Sequence, residues 1–461
     1  MTLDQAELGR RLEELAREYR VPGASLAVHA GGRTVLAATG VLNRGTGVEA
    51  TTDSLFQIGS ITKTLTTTLV MQLVDEGLLD LDEPVVKVLP EFKVADPDVT
   101  ASVTMRHLLT HTSGIQGDVF TDVGRGDDVL ERFVARCADL GQSHPIGATQ
   151  SYCNTGFGVA GRVIEVLTGK LWDTALRERL LAPLGMDRTF TLPEDVLRFR
   201  AAMGHLPVPD GGADDWPRPA PRWDVPRSAG PAGIVVGTAE DLVAFARMHL
   251  ADGTATDGTR VLSAASARMM REPQVAVPDR WTIADHWGLG WFLPTWEGCA
   301  LYGHDGGTIG QSAFLRVLPD RDVVVVLLTN GGRTRELFRA VANEVLPETA
   351  GLRVPEPPQP PAAPIPVDLA DWYGSYERHH VRMDLAPGED GTPELTVTVT
   401  EGLAGLDEPP HRMPLTAVDP DAGLFVTREQ DFAAWTPVVL HTLGDGSRYI
   451  HFGGRATPRT G

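Results

Sequence analysis

Lysine is scarce in this chain: Lys63, Lys87, Lys93 and Lys170 are the only four among 461 residues. No run of Lys or Arg forms a basic patch, and 61 acidic against 41 basic residues leave a formal charge of -20. Phosphate binding needs a cationic surface, so the balance disfavours a nucleic-acid partner. Three cysteines, Cys137, Cys153 and Cys299, have neither the even count of a disulfide framework nor metal-ligand spacing. No apolar run is long enough to span a bilayer, so no membrane partner is expected. The N-terminal stretch lacks the apolar core of a signal peptide and reads as an amphipathic helix with Leu8, Leu12, Leu15 and Tyr19 on one side. Together these absences lead to the expectation of a cytoplasmic protein.

What is present is a globular composition, 42% apolar and 22% charged, in a chain long enough for two or three units. Ala24–Ala30 and Thr34–Gly40 have strand patterns around the turn Gly31-Gly32-Arg33. A short strand, SLFQIG, is expected to hand over at Ser60 to a helix whose period is marked by Leu65, Leu69, Val70, Leu73 and Leu78, with Gly77 at its end. From about residue 80 to 270 the pattern is helical, broken by loops, including an irregular Pro/Gly/Asp-rich segment from Gly204 to Gly233. Strand patterns return at Trp287–Leu293, Ala300–Gly303, Gln311–Leu318 and Val323–Thr329, before a closing helix over Thr334–Leu346. The fold class is therefore α+β: an antiparallel sheet built from both ends of residues 1–350, with flanking helices and a helical insertion. A Pro-rich linker over 351–366 follows, and residues 367–461 alternate as short strands, as expected of a small all-β barrel or curled sheet.

Three short patterns carry chemistry. Ser60 and Lys63 are one helical turn apart, so both side chains can face the same way. A serine hydroxyl needs a base, and a lysine can serve if burial disfavours its charged form. Ile58, Ile61, Leu65 and Leu69 supply apolar surroundings. Tyr152-Cys153-Asn154 precedes a helix; its tyrosine can shuttle a proton and its asparagine can bond a substrate amide or Lys63. His304-Asp305-Gly306-Gly307 lets a substrate approach the backbone, and the Gly307 N–H could join that of Ser60 as a pair of oxyanion donors. The plain alternatives are a chance S-x-x-K, a half-buried Tyr beside a helix-capping Asn, and a glycine-rich hairpin turn.

In this order and at these intervals, the three patterns resemble the serine β-lactamase and penicillin-binding-protein family, in its class C-like esterase, D-aminopeptidase and peptide-cyclase branch. The stretches LLTHTSGI, LAPLGM, SAGPAGIVVGTAEDL and WGLGW add to the resemblance, which covers residues 5 to about 348. It implies Ser60 as nucleophile, Lys63 with Tyr152 as the proton-transfer pair, Asn154 as a substrate contact, and His304 to Gly307 as the wall bearing the second oxyanion donor. Many lactamases have Lys-Thr-Gly at the third pattern; here His304 and Asp305 replace the Lys and Thr. That departure points away from an efficient β-lactamase and toward esterases, D-amino-acid peptidases and acyltransferases. The C-terminal region is similar to the lipocalin-like barrels that some members append, among them thioesterases that cyclise nonribosomal peptides, for which a peptidyl carrier domain would be a partner.

The expected activity is acyl transfer through acyl-Ser60, on an ester, a D-residue-containing peptide or a thioester, with no cofactor. A non-catalytic peptide- or lactam-binding protein is the alternative from another class, and retention of Ser60, Lys63 and Tyr152 weighs against it. His107 and His111 lie one turn apart, but no third ligand follows, so no metal is expected. Trp281, Trp287, Trp291 and Trp296 either line a cleft or pack in the core.

Overall fold

Strands from the two ends of the first 350 residues meet in one antiparallel sheet of a computed structural model, which describes residues 4–208, 215–389, 391–399, 410–428 and 434–461. Helix α1 (Gln5–Glu18) starts on Asp4, whose carboxylate accepts the N–H groups of Ala6 and Glu7. Strands β1 (Gly23–Ala30) and β2 (Arg33–Asn43) form a hairpin whose turn places both Gly31 and Gly32 at positive φ. Helix α2 (Thr62–Asp75), α3 (Asn154–Thr168) and α4 (Ala239–Leu250) belong to the helical layer. The sheet resumes with β3 (Tyr302–Gly307), β4 (Ser312–Leu318) and β5 (Val323–Thr329), and α5 (Thr334–Thr349) closes this part. Across the sheet the order is Val48–Glu49, β2, β1, β5, β4, β3, then the two-residue strands Phe292–Leu293, His286–Trp287 and Val275–Ala276.

β5 explains its own unbroken apolar sequence. Side chains alternate across a strand, so Val323, Val325 and Leu327 pack with α1 and α5 on one face. Val324, Val326 and Leu328 join α2, α3 and α4 on the other. A strand buried on both faces has no polar side to show.

α2 is buried on nearly every side, from Thr62 to Leu73. Its threonines are tolerated there because their hydroxyls bond carbonyls: Thr64 to Ile61, Thr67 to Lys63, Thr68 to Thr64, and Thr66 across to Pro231. The helix is thus fixed within the core, and Lys63 in its first turn is fully buried.

Three expectations are refined. SLFQIG contributes only Phe56–Gln57, paired with Val236–Gly237 outside the main sheet, and a short 3-10 turn over Gly59–Ile61 leads into α2. Trp287–Leu293 is not one strand; the chain turns through Gly288–Gly290, with Gly290 at positive φ, and re-enters the sheet at Phe292. His304-Asp305-Gly306-Gly307 is part of β3, and the turn follows at 308–311. Of the irregular segment expected over 204–233, residues 209–214 lie outside the described residues.

Residues 351–366 contain no helix or strand, as seven prolines dictate. Beyond them, β6 (Gly374–Arg378), β7 (Val381–Pro387), β8 (Pro393–Val399) and β9 (His411–Pro414) form one antiparallel sheet. β10 (Thr416–Asp419), β11 (Leu424–Thr427), β12 (Thr436–Thr442), β13 (Arg448–Phe452) and β14 (Arg455–Pro458) form a second. The two curl around one apolar cluster that includes Tyr376, Leu385, Leu395, Phe425 and Ile450. Their edges meet at the Tyr376–Arg459 bridge, and only Leu415 separates β9 from β10.

Candidate active site

Ser60 lies in the 3-10 turn at the start of α2, and Lys63 one turn later brings its Nζ to 3.0 Å from Ser60 Oγ. The same Nζ donates to the Ala232 carbonyl at 2.6 Å. A neutral amine can do both: one N–H goes to the carbonyl and the lone pair is left for the serine proton. The Lys63 ammonium is disfavoured first by burial and then by the nearby Arg455 cation, so its pKa lies well below the ordinary lysine value.

Tyr152 arrives from the segment before α3. Lys63 Nζ sits 4.8 Å from the centre of its ring. Burial pushes the Tyr152 pKa up, outweighing the nearby hydroxyl of Ser60 and the Arg455 charge, so the phenol keeps its proton at neutral pH. Behind it, His111 stacks at 4.3 Å and Trp287 meets both His111 and Tyr152 edge-on. His111 is held at φ 58 and its Nδ1 accepts the Cys153 N–H, which seats the tyrosine's own backbone.

β3 supplies the opposite wall. A Cβ on Gly306 would stand 1.8 Å from the Ile58 carbonyl oxygen and 3.0 Å from Ser60 N, and one on Gly59 would be 2.5 Å from Gly307 N. Only glycines allow this approach, which sets the main chain of Gly306 and Gly307 beside that of Ser60. The two side chains before them are occupied otherwise. His304 is 2% exposed, and its Nδ1 donates to the Asp305 carbonyl at 2.6 Å. Burial lowers its pKa to about 3, so the ring is neutral. The Asp305 carboxylate pairs with Arg316 at 2.5 Å.

Asn154 lies at the start of α3, and its Nδ2 donates to Asp118 Oδ1 at 3.0 Å. Asp118 is the centre of a group that the sequence did not reveal. Arg455 grips it at two points, Nε to Oδ2 at 2.7 Å and Nη2 to Oδ1 at 3.0 Å, and Arg378 adds a third bond at 3.1 Å. Burial alone would raise the carboxyl; the two guanidiniums overcome it and bring Asp118 to about 2. Both arginines come from the C-terminal strands, and the Arg455 guanidinium lies 5.0 Å from the centre of the Tyr152 ring.

The remaining candidates fall elsewhere. His107 Nδ1 bonds Thr104 in a capping box of a short helix, and no group of three metal-binding side chains occurs among the described residues. Trp291 packs in the core against Phe245 and Tyr302, and Trp296 packs with Phe314 and Phe338, while Trp287 backs the Tyr152 and His304 rings. Among the described residues, no helix is long and apolar enough to cross a membrane.

Comparison with known proteins places the chain in a family. The Beta-lactamase family model matches residues 8–347. Penicillin-binding protein 4 of Amycolatopsis lactamdurans is 54% identical over 380 residues, 82% of this chain and 99% of that protein. The solved structure of SurE is 32% identical, with a TM-score of 0.78 over 99% of each chain, and SurE has also been solved with D-Leu. A D-amino acid amidase from Ochrobactrum anthropi SV3 is 26% identical, with a TM-score of 0.59 over 73% of this chain and 99% of that one. With three chemical patterns gathered at one serine and a family model covering most of its length, this chain belongs to the β-lactamase family of serine hydrolases.

Proposed function

We propose that the protein transfers acyl groups through an acyl-Ser60 intermediate, taking esters, peptides with a D-residue or thioesters. The observation that carries the reading is the pair of contacts at Lys63 Nζ, a donated bond to the Ala232 carbonyl and a 3.0 Å approach to Ser60 Oγ. That geometry suits an amine that removes the serine proton as the oxygen attacks. The phenol of Tyr152, kept protonated by burial, then passes a proton to the leaving group and takes back the one held by Lys63, whose Nζ lies 4.8 Å from its ring centre. Ser60 N–H and the main chain at Gly307 flank the developing oxyanion, and Asn154 meets the substrate amide. Water or an amine completes the transfer. No cofactor is required by these steps.

The D-residue reading is favoured by two neighbours, SurE solved with D-Leu and the D-amino acid amidase. Cyclisation of a carrier-bound peptide is the second reading, in which an amine of the acyl group itself replaces water as the acceptor. Intact mass after incubation with a fluorophosphonate, and separately with p-nitrophenyl acetate, tests the proposal. One adduct on wild type that is absent from Ser60→Ala is expected. A folded wild-type protein that takes no adduct from either probe would move the reading to a non-catalytic peptide- or lactam-binding protein.

A further inference from the structure

The C-terminal strands touch the catalytic group at three consecutive residues. The Gly454 carbonyl accepts the N–H of Tyr152 at 3.0 Å, the Ala456 N–H donates to Ser151 Oγ at 3.0 Å, and Arg455 between them binds Asp118. The turn is built for this seat. Gly454 is at φ 77, and a Cβ there would stand 2.5 Å from Ile283 Cδ1. We propose that the hairpin turn between β13 and β14 is a working part of the active site, with Gly454 and Arg455 positioning Tyr152 and, through Asp118, Asn154. The proposal rests on the acyl-serine reading given above.

Two physical effects follow from the placement. The first is geometric. Tyr152 and Asn154 flank Cys153, and the hairpin holds the tyrosine backbone on one side and the asparagine amide, by way of Asp118, on the other. A phenol that must meet both Ser60 and a leaving group loses rate when its backbone is free to shift.

The second effect is electrostatic. Lys63 Nζ and the Arg455 guanidinium lie 4.8 Å and 5.0 Å from the same ring centre, so they are less than 10 Å apart. The charged and titratable groups facing Lys63 are Arg455, Asp118, Cys153, Tyr152, His111 and His304. Both histidines are held neutral by burial, and burial raises Cys153 to about 11, so it too is uncharged. Asp118 opposes Arg455, but it is also engaged by Arg378, and two guanidiniums against one carboxylate leave a net positive charge beside the site. That charge favours the free amine of Lys63 and, in the same sense, eases proton release from Tyr152.

Acylation by p-nitrophenyl acetate, followed from about pH 5 to about pH 9, separates these effects from mere packing. Arg455→Ala should move the rising limb to higher pH by about one unit and lower the plateau. Arg455→Lys, which restores a cation without the two-point grip, should return the limb toward its wild-type position while the plateau stays low. Arg455→Gln, neutral and close in length, gives the same reading as alanine if the alanine variant does not fold. Arg382→Ala, at an exposed arginine of the same strands, serves as control and should leave both limb and plateau unchanged. Neutral variants with a wild-type limb and plateau would overturn the proposal, as would an equal shift in the control. A wild-type protein that takes no adduct at Ser60 removes the acyl-serine reading, and this proposal falls with it.

Discussion

Gly306 and Gly307 are neighbours on one strand, yet a methyl group should have opposite consequences at the two positions. At Gly306 a Cβ would lie 1.8 Å from the Ile58 carbonyl oxygen, 2.8 Å from the Ile58 carbonyl carbon and 3.0 Å from Ser60 N. Real Cβ contacts do not fall below 3.0 Å, so relief demands a separation of about 1.2 Å, the difference between 3.0 and 1.8 Å. The atoms in the way are main chain, at Ile58 and at Ser60, the proposed nucleophile. β3 is held by the register His304–Leu315 to Gly307–Ser312, and α2 is buried in the core, so neither side yields freely. Overpacking of this kind costs about 1–3 kcal/mol of stability. A displacement of about 1 Å at a reacting centre costs on the order of 100-fold in rate. Misalignment of one oxyanion donor adds to the same loss, at roughly 3–4 kcal/mol in the extreme. At Gly307 a Cβ meets nothing within 4 Å. Gly306→Ala should therefore acylate at least ~100-fold more slowly than wild type while Gly307→Ala stays within about threefold. Stopped-flow release of p-nitrophenol, with a thermal melt beside each variant, is the assay. Equal rates for the two alanine variants would refute the close-approach account of this wall.

Lys63→Arg should fail to rescue Lys63→Ala in the same assay, because a guanidinium cannot be deprotonated and offers no lone pair to Ser60. Lys63→Met should abolish acylation without lowering the denaturation midpoint. Asp118→Asn leaves Arg378 and Arg455 buried against a neutral amide, so it should destabilise the fold by about 3–5 kcal/mol at neutral pH, read from denaturant midpoints. Its pH dependence has a definite sign. Asp118 falls from 3.8 to about 2 in the folded protein, so its stabilisation is complete above pH 3.8 and is lost as pH falls toward 2; the variant should lack that acid limb. His451 behaves as a buried neutral ring whose pKa drops from 6.5 to about 3, through burial and then through His441 and His144. Its neutral form supports the fold above pH 6.5, and that support fades as pH falls toward 3. His451→Leu should flatten the acid-unfolding curve over that interval, and an unchanged curve would contradict the assignment.

The parts of the site legible in the sequence are those carried by local spacing. Ser60 and Lys63 need only a helical turn to meet, and a buried period in α2 announced the environment. The glycines of β3 announced a close approach, although not that the strand runs through them. What stayed hidden depends on long-range register. Gly-Gly-Arg occurs three times, at 31–33, 331–333 and 453–455. Arg33 is exposed in a hairpin turn, Arg333 lies over Tyr19, and Arg455 lies over the Tyr152 ring. No local pattern separates the third from the others, since its role arises from how the C-terminal strands seat on residues 151 and 152. Asp118 was hidden for the same reason: its partners are more than 250 residues away at Arg378 and Arg455. The Ala232 carbonyl, which receives Lys63, has no side-chain signature at all.

The state of Lys63 decides between an acyl-transfer enzyme and a binding protein. An amine removed from water is costly unless a carboxylate accompanies it, and Lys63 has none as a direct partner among the described residues; its polar contacts there are a hydroxyl and a carbonyl. In the unfolded chain the amine is protonated up to its ordinary value near 10.5, whereas in the folded chain burial and Arg455 hold it neutral far lower. Protons bound by the unfolded state alone draw the equilibrium toward unfolding, so at neutral pH this residue works against the fold. A protein that only binds peptides gains nothing from the arrangement, because a serine hydroxyl can donate a hydrogen bond without a base beside it. A nucleophile gains the lone pair. The predicted split for Lys63→Met, stability kept or raised and acylation lost, is the signature of a site where stability is given up for chemistry.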